Sequence, residues 1–380
     1  MKATNWIYLD NNATTPLAPE VAELGASLLK HCFANPASAY PPADEARQLL
    51  ATARRQVAEL IGASPQEIVF TSCGTESDVT AIRSALRTAP RGKDKVVISA
   101  VEHPAVTQLC NQLLIEGWRV EIVGVGSQGV VDMEAFARAL DETTAVVSIM
   151  WANNETGVVM PVKELASMAR EAGAVFHTDA VQAAGKVKVD MHEAGVDMAS
   201  LSAHKFHGPK GVGALFVREG LEFYPLLPGG GQEGGRRSGT ENTPGIAAMG
   251  LAAHIARLQM GAMQRVEQMR AALEEKVKEL GGVVHGEKSP RLPNTLCAGF
   301  KGVTAVDLVK EMAAEGVCIS AGAACHSGAH TPSHVLKAMG VEQQLALGSV
   351  RISLSRYTTW GEVERAAVAL GRALSRLRKS

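Results

Sequence analysis

Short runs of β-branched and other apolar residues recur through the first two-thirds of the chain. EIVFTS (67–72), KVVISA (95–100), RVEIVGV (119–125), TAVVSIM (144–150), AVFHTDA (174–180), DMASLS (197–202) and VGALFV (212–217) have the length and make-up of buried strands. Between several of them lie stretches with apolar positions three and four apart: SDVTAIRSAL, MEAFARAL and PVKELASMARE, the last opened by Pro161. Strands alternating with amphipathic helices predict an α/β fold with a mostly parallel sheet covered on both faces.

The pattern changes after the glycine-rich PGGGQEGGRRSGTENTPG. A long helical segment (246–280) is followed by shorter mixed pieces: TLCAGF, TAVDLVKEMAAEG, VCIS, SVRISLS and a final helix from Glu362. This predicts a second, smaller α+β domain, with the long helix joining the two. The expected division is 15–255 for the large domain and 1–14 with 256–380 for the small one.

With 380 residues, 46% hydrophobic and 20% charged, the chain can bury a large core. A net charge of −1 gives no electrostatic reason to expect nucleic acid or an anionic membrane as partner. The opening MKATNWIYLD lacks the apolar core of a signal peptide, and AVVSIMWA falls well short of the ~18 apolar residues of a membrane span. The cysteines at 32, 73, 110, 297, 318 and 325 are scattered without a C-x-x-C, so reduced thiols are expected. The expectation is a soluble, cytoplasmic protein.

Residues 320–334, SAGAACHSGAHTPSH, pose the chemical question. Cys325, His326, His330 and His334 suggest metal ligands if the stretch is one helix. Thr331-Pro332, however, reads as a helix start that runs on through HVLKAM, leaving His326 and His330 in a Gly/Ala loop. The loop then carries a single reactive thiol, which needs something to attack.

In α/β sheets ligands bind beyond the carboxyl ends of the strands. After the first strand come Gly74 and Thr75 opening a helix, a place for an anion; taken alone, Thr75 is only an N-cap. Asp179 ends another strand, where a buried carboxylate calls for a cation. Lys205 follows a third, beside Ser202 and His204, where loss of water would free its amine to form a Schiff base; singly it is a loop lysine. An anion cradle, a carboxylate and a lysine at successive strand ends match the phosphate, ring nitrogen and aldehyde of pyridoxal 5'-phosphate (PLP). His103 and Asn154 stand past two further strands, placed to stack on or bond to such a ring, though each alone is an ordinary histidine or turn asparagine.

LDNNATTP, FTSCGTESD, EHPAV, NNETGV, HTDAVQ, SAHKFHGPKG, RSGTEN, ACHSG…PSHVL and VRISLSRYTT occur in that order over nearly the whole chain. Together they resemble the cysteine desulfurases, fold-type I PLP enzymes of the class V aminotransferase family, and especially the NifS-like branch. The resemblance implies a seven-stranded sheet and a homodimer. Lys205 would hold the cofactor, Asp179 its ring nitrogen and Gln182 its phenolic oxygen. Gly74, Thr75, Ser202 and His204 would hold the phosphate, with Thr240 reaching it from the other subunit. His103 would stack on the ring and assist proton transfer. Asn154 and Arg351 would hold the substrate, L-cysteine, the arginine through its fork on the α-carboxylate, with Asn35 near the same pocket. Cys325 would attack the substrate sulfur, leaving L-alanine and an enzyme persulfide, and the Gly/Ala loop suits a swing to an acceptor.

That acceptor would be an iron–sulfur scaffold protein. No resident metal is required, and a transient iron–sulfur cluster at Cys325 is compatible. The loop reads SAGAACHS where the family has a serine-rich SSGSACTS; His326 could lower the thiol pKa, serve the acceptor, or be neutral. The ending RALSRLRKS lacks the longer tail with which housekeeping relatives dock their scaffold, which favours the NifS-like branch. A selenocysteine lyase, an aminotransferase of the same fold and a Cys/His metal-binding protein remain as alternatives.

Overall fold

The computed structural model describes residues 6–321 and 332–379. β1 (Ile7–Tyr8) stands apart from the main sheet, which comprises β2 (Ile68–Thr71), β3 (Lys95–Ser99), β4 (Arg119–Val123), β5 (Thr144–Ser148), β6 (Val175–Asp179), β7 (Met198–Ser202) and β8 (Gly213–Val217). Their spatial order is β2-β8-β7-β6-β5-β3-β4. The pairs from β7 to β4 are parallel, while β8 runs antiparallel to both β2 and β7. Every residue of β2, β3, β5, β7 and β8 is buried, as expected for strands covered on both faces, whereas β4 is an edge strand with Arg119 and Glu121 exposed. All seven expected strands are present in this one sheet.

The helices Pro41–Leu60 and Thr243–Leu258 pack closely along one another. Gly250 permits the approach, since a Cβ there would lie 2.4 Å from the Ala53 Cα. The expected long helix is in fact two, Thr243–Leu258 and Ala262–Glu279, parted around Gly261. The break falls where the packing partner changes. Ile246, Met249 and Ala253 join the core around the main sheet, whereas Met263, Val266 and Met269 join a second core.

That second core forms over β9 (Val283–Val284), β10 (Thr295–Gly299) and β12 (Ser349–Ser353), an antiparallel sheet in the order β12-β10-β9. β11 (Val317–Cys318) pairs in parallel with β1, which brings Ile7 and Leu9 into the same core as Phe300, Ile352 and Leu370. The chain's first residues are thereby tied to its last third. Two helix starts also differ from expectation. The helix after the cysteine segment is His334–Ala338, capped by Ser333, whose Oγ accepts the N–H groups of Val335 and Leu336. The last helix begins at Trp360; Glu362 is the third residue of a capping box closed on Thr359. Among the described residues, no helix is long and apolar enough to cross a membrane.

Candidate active site

The segments that leave β2, β3, β5, β6 and β7 at their carboxyl ends meet residues 10–13 and β12 around a cavity of about 800 Å³. Gly74, Thr75, His103, Asn154, Asp179, Gln182, Ser202, His204, Lys205 and Arg351 all line it. This is the crevice position that a doubly wound sheet offers a ligand.

Lys205 follows β7 in a single tight turn, and its Nζ donates to the carbonyls of Asn12 at 2.7 Å and Ala13 at 2.8 Å. Burial, reinforced by nearby Arg351 and opposed by Asp179 and Asp10, lowers its pKa to about 8. A lysine held so carries a usable fraction of neutral amine near physiological pH. His204, bonded through Nδ1 to the Thr14 hydroxyl at 3.1 Å, has its pKa lowered to about 4 by burial and by Lys205, and is neutral.

Asp179 closes β6, accepting the Val181 N–H at 2.9 Å. Its fully buried carboxyl is raised by loss of water, against which His103, the Val181 amide and Lys205 favour the charged form. Two more carboxyls lie buried behind it. Asp78 is raised well above the ordinary range by burial and by Asp179, and its Oδ1 has no hydrogen-bond partner among the described residues. Glu102 is raised to about 8 by burial; its Oε1 accepts the Ser99 hydroxyl at 2.5 Å and the Met150 N–H at 3.0 Å, while its Oε2 has no hydrogen-bond partner among the described residues. Three acids so close cannot all ionise in a buried site, and Asp179, nearest the cations, is best placed to keep the charge. His103 caps the next helix, its Nδ1 accepting the Ala105 N–H at 3.1 Å.

At the other end of the cavity the helix Gly74–Thr88 begins, its N-cap Cys73 Sγ accepting the Glu76 N–H. A Cβ on Gly74 would come within 2.9 Å of the Val181 side chain, so only glycine lets this helix start stand so close to the ends of β6 and β7. Ser202 Oγ is enclosed with no hydrogen-bond partner among the described residues. A helix N-terminus and an unpartnered hydroxyl at one end, a lysine amine, and a buried carboxylate together fit PLP: phosphate, aldehyde and ring nitrogen.

Arg351, on β12, donates from one terminal nitrogen to the Asn154 carbonyl at 3.0 Å and from the other to Asp10 Oδ1 at 2.8 Å. Gln182 donates through Nε2 to the Asn12 carbonyl at 3.0 Å, and the buried Lys186 amine bonds both Gln182 Oε1 at 2.5 Å and Asn12 Oδ1 at 3.1 Å. Lys186 is lowered well below the usual lysine range by burial, then by Lys205 and Arg351.

Cys325, His326 and His330 lie outside the described residues. The residues flanking them reach the cavity from both sides. Ser320 exchanges backbone bonds with Arg351 at 2.7 and 3.1 Å, Ser333 Oγ donates to Glu155 Oε2 at 2.6 Å, and His334 Nε2 donates to the Glu102 carbonyl at 3.0 Å. Asn35 and Thr240 do not line the cavity of the single chain. Both are exposed, and Asn35 Oδ1 is turned onto the Ala37 N–H at 2.9 Å. Sequence reasoning missed Asp10, Asn12, Asp78, Glu102 and Lys186. The first two sit in the LDNNATTP run, whose polar triplet after an apolar strand was the available signal.

Residues 7–366 match the family model described as Aminotransferase class-V. The chain is 44% identical over 375 residues to a cysteine desulfurase of Nostoc sp., covering 98% of this chain and 94% of the relative. It is 46% identical to a cysteine desulfurase of Cereibacter sphaeroides, covering 98% and 96%. Among solved structures, a NifS-like protein superposes with a TM-score of 0.91 at 37% identity, covering 97% of this chain and 99% of the other.

Proposed function

We infer the function from one premise: the chain belongs to the aminotransferase class-V family and, within it, to the cysteine desulfurases. It is a PLP-dependent enzyme, and its substrate is L-cysteine. The observation that carries the reading down to residues is the meeting of Lys205, Asp179 and Arg351 in one cavity.

We propose that Gly74, Thr75, Ser202 and His204 hold the PLP phosphate, with Thr240 contributed by the second copy in a homodimer. Asp179 holds the ring nitrogen, Gln182 the phenolic oxygen, and His103 and Asn154 border the ring. The bound cofactor supplies an electron sink that loosens bonds at the substrate's α- and β-carbons. Lys205 would anchor it and, when its amine is free with a pKa near 8, can both take and return a proton at the α-carbon. Arg351 orients the α-carboxylate by charge-assisted bonds. His103, bordering the ring, exchanges a proton with the departing or arriving sulfur.

The Cys325 thiolate then attacks the substrate sulfur. An S–S bond forms as the C–S bond breaks; the carbon gains the hydrogen that makes L-alanine, and the sulfur is left as a persulfide on Cys325. The Ser320 and Ser333 contacts hold the residues on either side of the Cys325 segment at the cavity. We assign the onward transfer to an iron–sulfur scaffold protein in the cytoplasm, serving cluster assembly for nitrogen fixation, a reading supported by the NifS-like motif set. Incubation with L-cysteine and a thiol reductant tests the activity. Equimolar L-alanine and sulfide are expected, and pyruvate with ammonia in their place would overturn the reading.

A further inference from the structure

We propose that Asp10 is the resting-state partner of Arg351 and competes with the substrate's α-carboxylate for it, thereby setting the affinity of the site for carboxylate ligands. The inference rests on the reading of Arg351 as the carboxylate-binding residue.

Arg351 is only 6% exposed and needs a counter-charge when no substrate is present. Asp10 supplies it through one oxygen, Oδ1, on NH2 at 2.8 Å. The other terminal nitrogen is spent on the Asn154 carbonyl, and Nε is enclosed with no hydrogen-bond partner among the described residues. A carboxylate can grip a guanidinium with two parallel bonds in two ways, through NH1 and NH2 or through Nε and NH2. NH2 is common to both, and it is the nitrogen Asp10 holds.

A substrate carboxylate arriving beside Asp10 would place two like charges against one guanidinium nitrogen in a poorly hydrated site, which is unfavourable. Asp10 is the member of the pair that can yield. Its side chain is 21% exposed against 7% for Arg351, so its carboxylate can turn to water while the arginine cannot. Its backbone stays in place, bridged to Ser353 and accepting a bond from the Tyr8 hydroxyl at 3.2 Å. The exchange swaps one ion pair for another and keeps the charge around Arg351 balanced throughout.

The test compares Asp10→Asn with wild-type holoenzyme. The equilibrium dissociation constant is measured calorimetrically for β-mercaptopropionate, which has the carboxylate but no amine, and for the alcohol analogue of the same length. Removing the competing charge should tighten β-mercaptopropionate binding roughly fivefold and leave the alcohol unchanged, with the KM for L-cysteine falling in step. Unchanged or weaker carboxylate binding would overturn the inference, leaving Asp10 as a residue that only orients the arginine. Asp10→Ser provides the same comparison if the asparagine variant fails to fold. Arg351→Lys separates the two levels. If β-mercaptopropionate binding survives that change, the assignment of Arg351 fails; if it is lost while Asp10→Asn gives no tightening, only the competition fails.

Discussion

The amine of Lys205 and the backbone carbonyl of Asn12 lie 2.7 Å apart, although 193 residues separate them in the chain. Through this bond the N-terminal strand segment, which packs in the core of the last third, orients the reactive group at the end of the main sheet. Because burial holds the Lys205 pKa near 8, its neutral fraction rises about tenfold per pH unit below that value and levels off above it. The rate of covalent PLP attachment to apoenzyme should follow that curve. Lys205→Ala should show no attachment and no turnover.

Asp179 is the carboxylate best placed to stay charged in a cluster of three buried acids. Asp179→Asn removes that charge with little change in shape and should lower kcat at least about a hundredfold. PLP content, measured by release in base, should fall much less. Loss of kcat alone supports a role in tuning the cofactor, whereas full activity in the variant would contradict it.

Glu102 yields a stability prediction with a definite sign. Burial raises its pKa from the ordinary carboxylic value to about 8, so the folded chain holds a proton that the unfolded chain has released. The stability this contributes is complete below about pH 4.5 and is lost as the pH rises toward 8. Urea unfolding of apoenzyme across that range should show wild type losing stability relative to Glu102→Gln by up to about 1.4 kcal/mol per pH unit. Parallel curves for the two proteins would refute the buried protonated acid.

Ser333 bonds the buried Glu155 at 2.6 Å and caps the helix that follows the cysteine segment. Ser333→Ala removes both interactions, and a cost of about 1–3 kcal/mol is expected from chemical denaturation. If the bond also sets where the segment ends, sulfur transfer should slow more than L-cysteine binding weakens, which single-turnover kinetics can separate.

Much of this architecture was legible in the residues. The strands of the main sheet announce themselves because a parallel sheet buries both faces, and Val- and Ile-rich runs such as TAVVS have no other use at that length. Lys205 and Asp179 were legible because strand ends are where such sheets place ligands. The break at Gly261 was not, since its flanking helices keep a continuous apolar spacing and differ only in which core they meet. Nor were the partnerships of Asp10 with Arg351 and of Asn12 with Lys186, for a periodicity says which face is buried but not which distant segment covers it. The helix start at Ser333 was missed because Thr331-Pro332 offers the same capping chemistry two residues earlier.

The most direct test of the central claim is mass spectrometry of the enzyme after one turnover with L-cysteine in the absence of reductant, for wild type and Cys325→Ala. The wild-type peptide containing Cys325 should gain the mass of one sulfur atom, with one L-alanine formed per site, while the variant should bind PLP but gain no sulfur and form no L-alanine. L-alanine formation by the variant at the wild-type rate, or the added sulfur on a different cysteine, would contradict it.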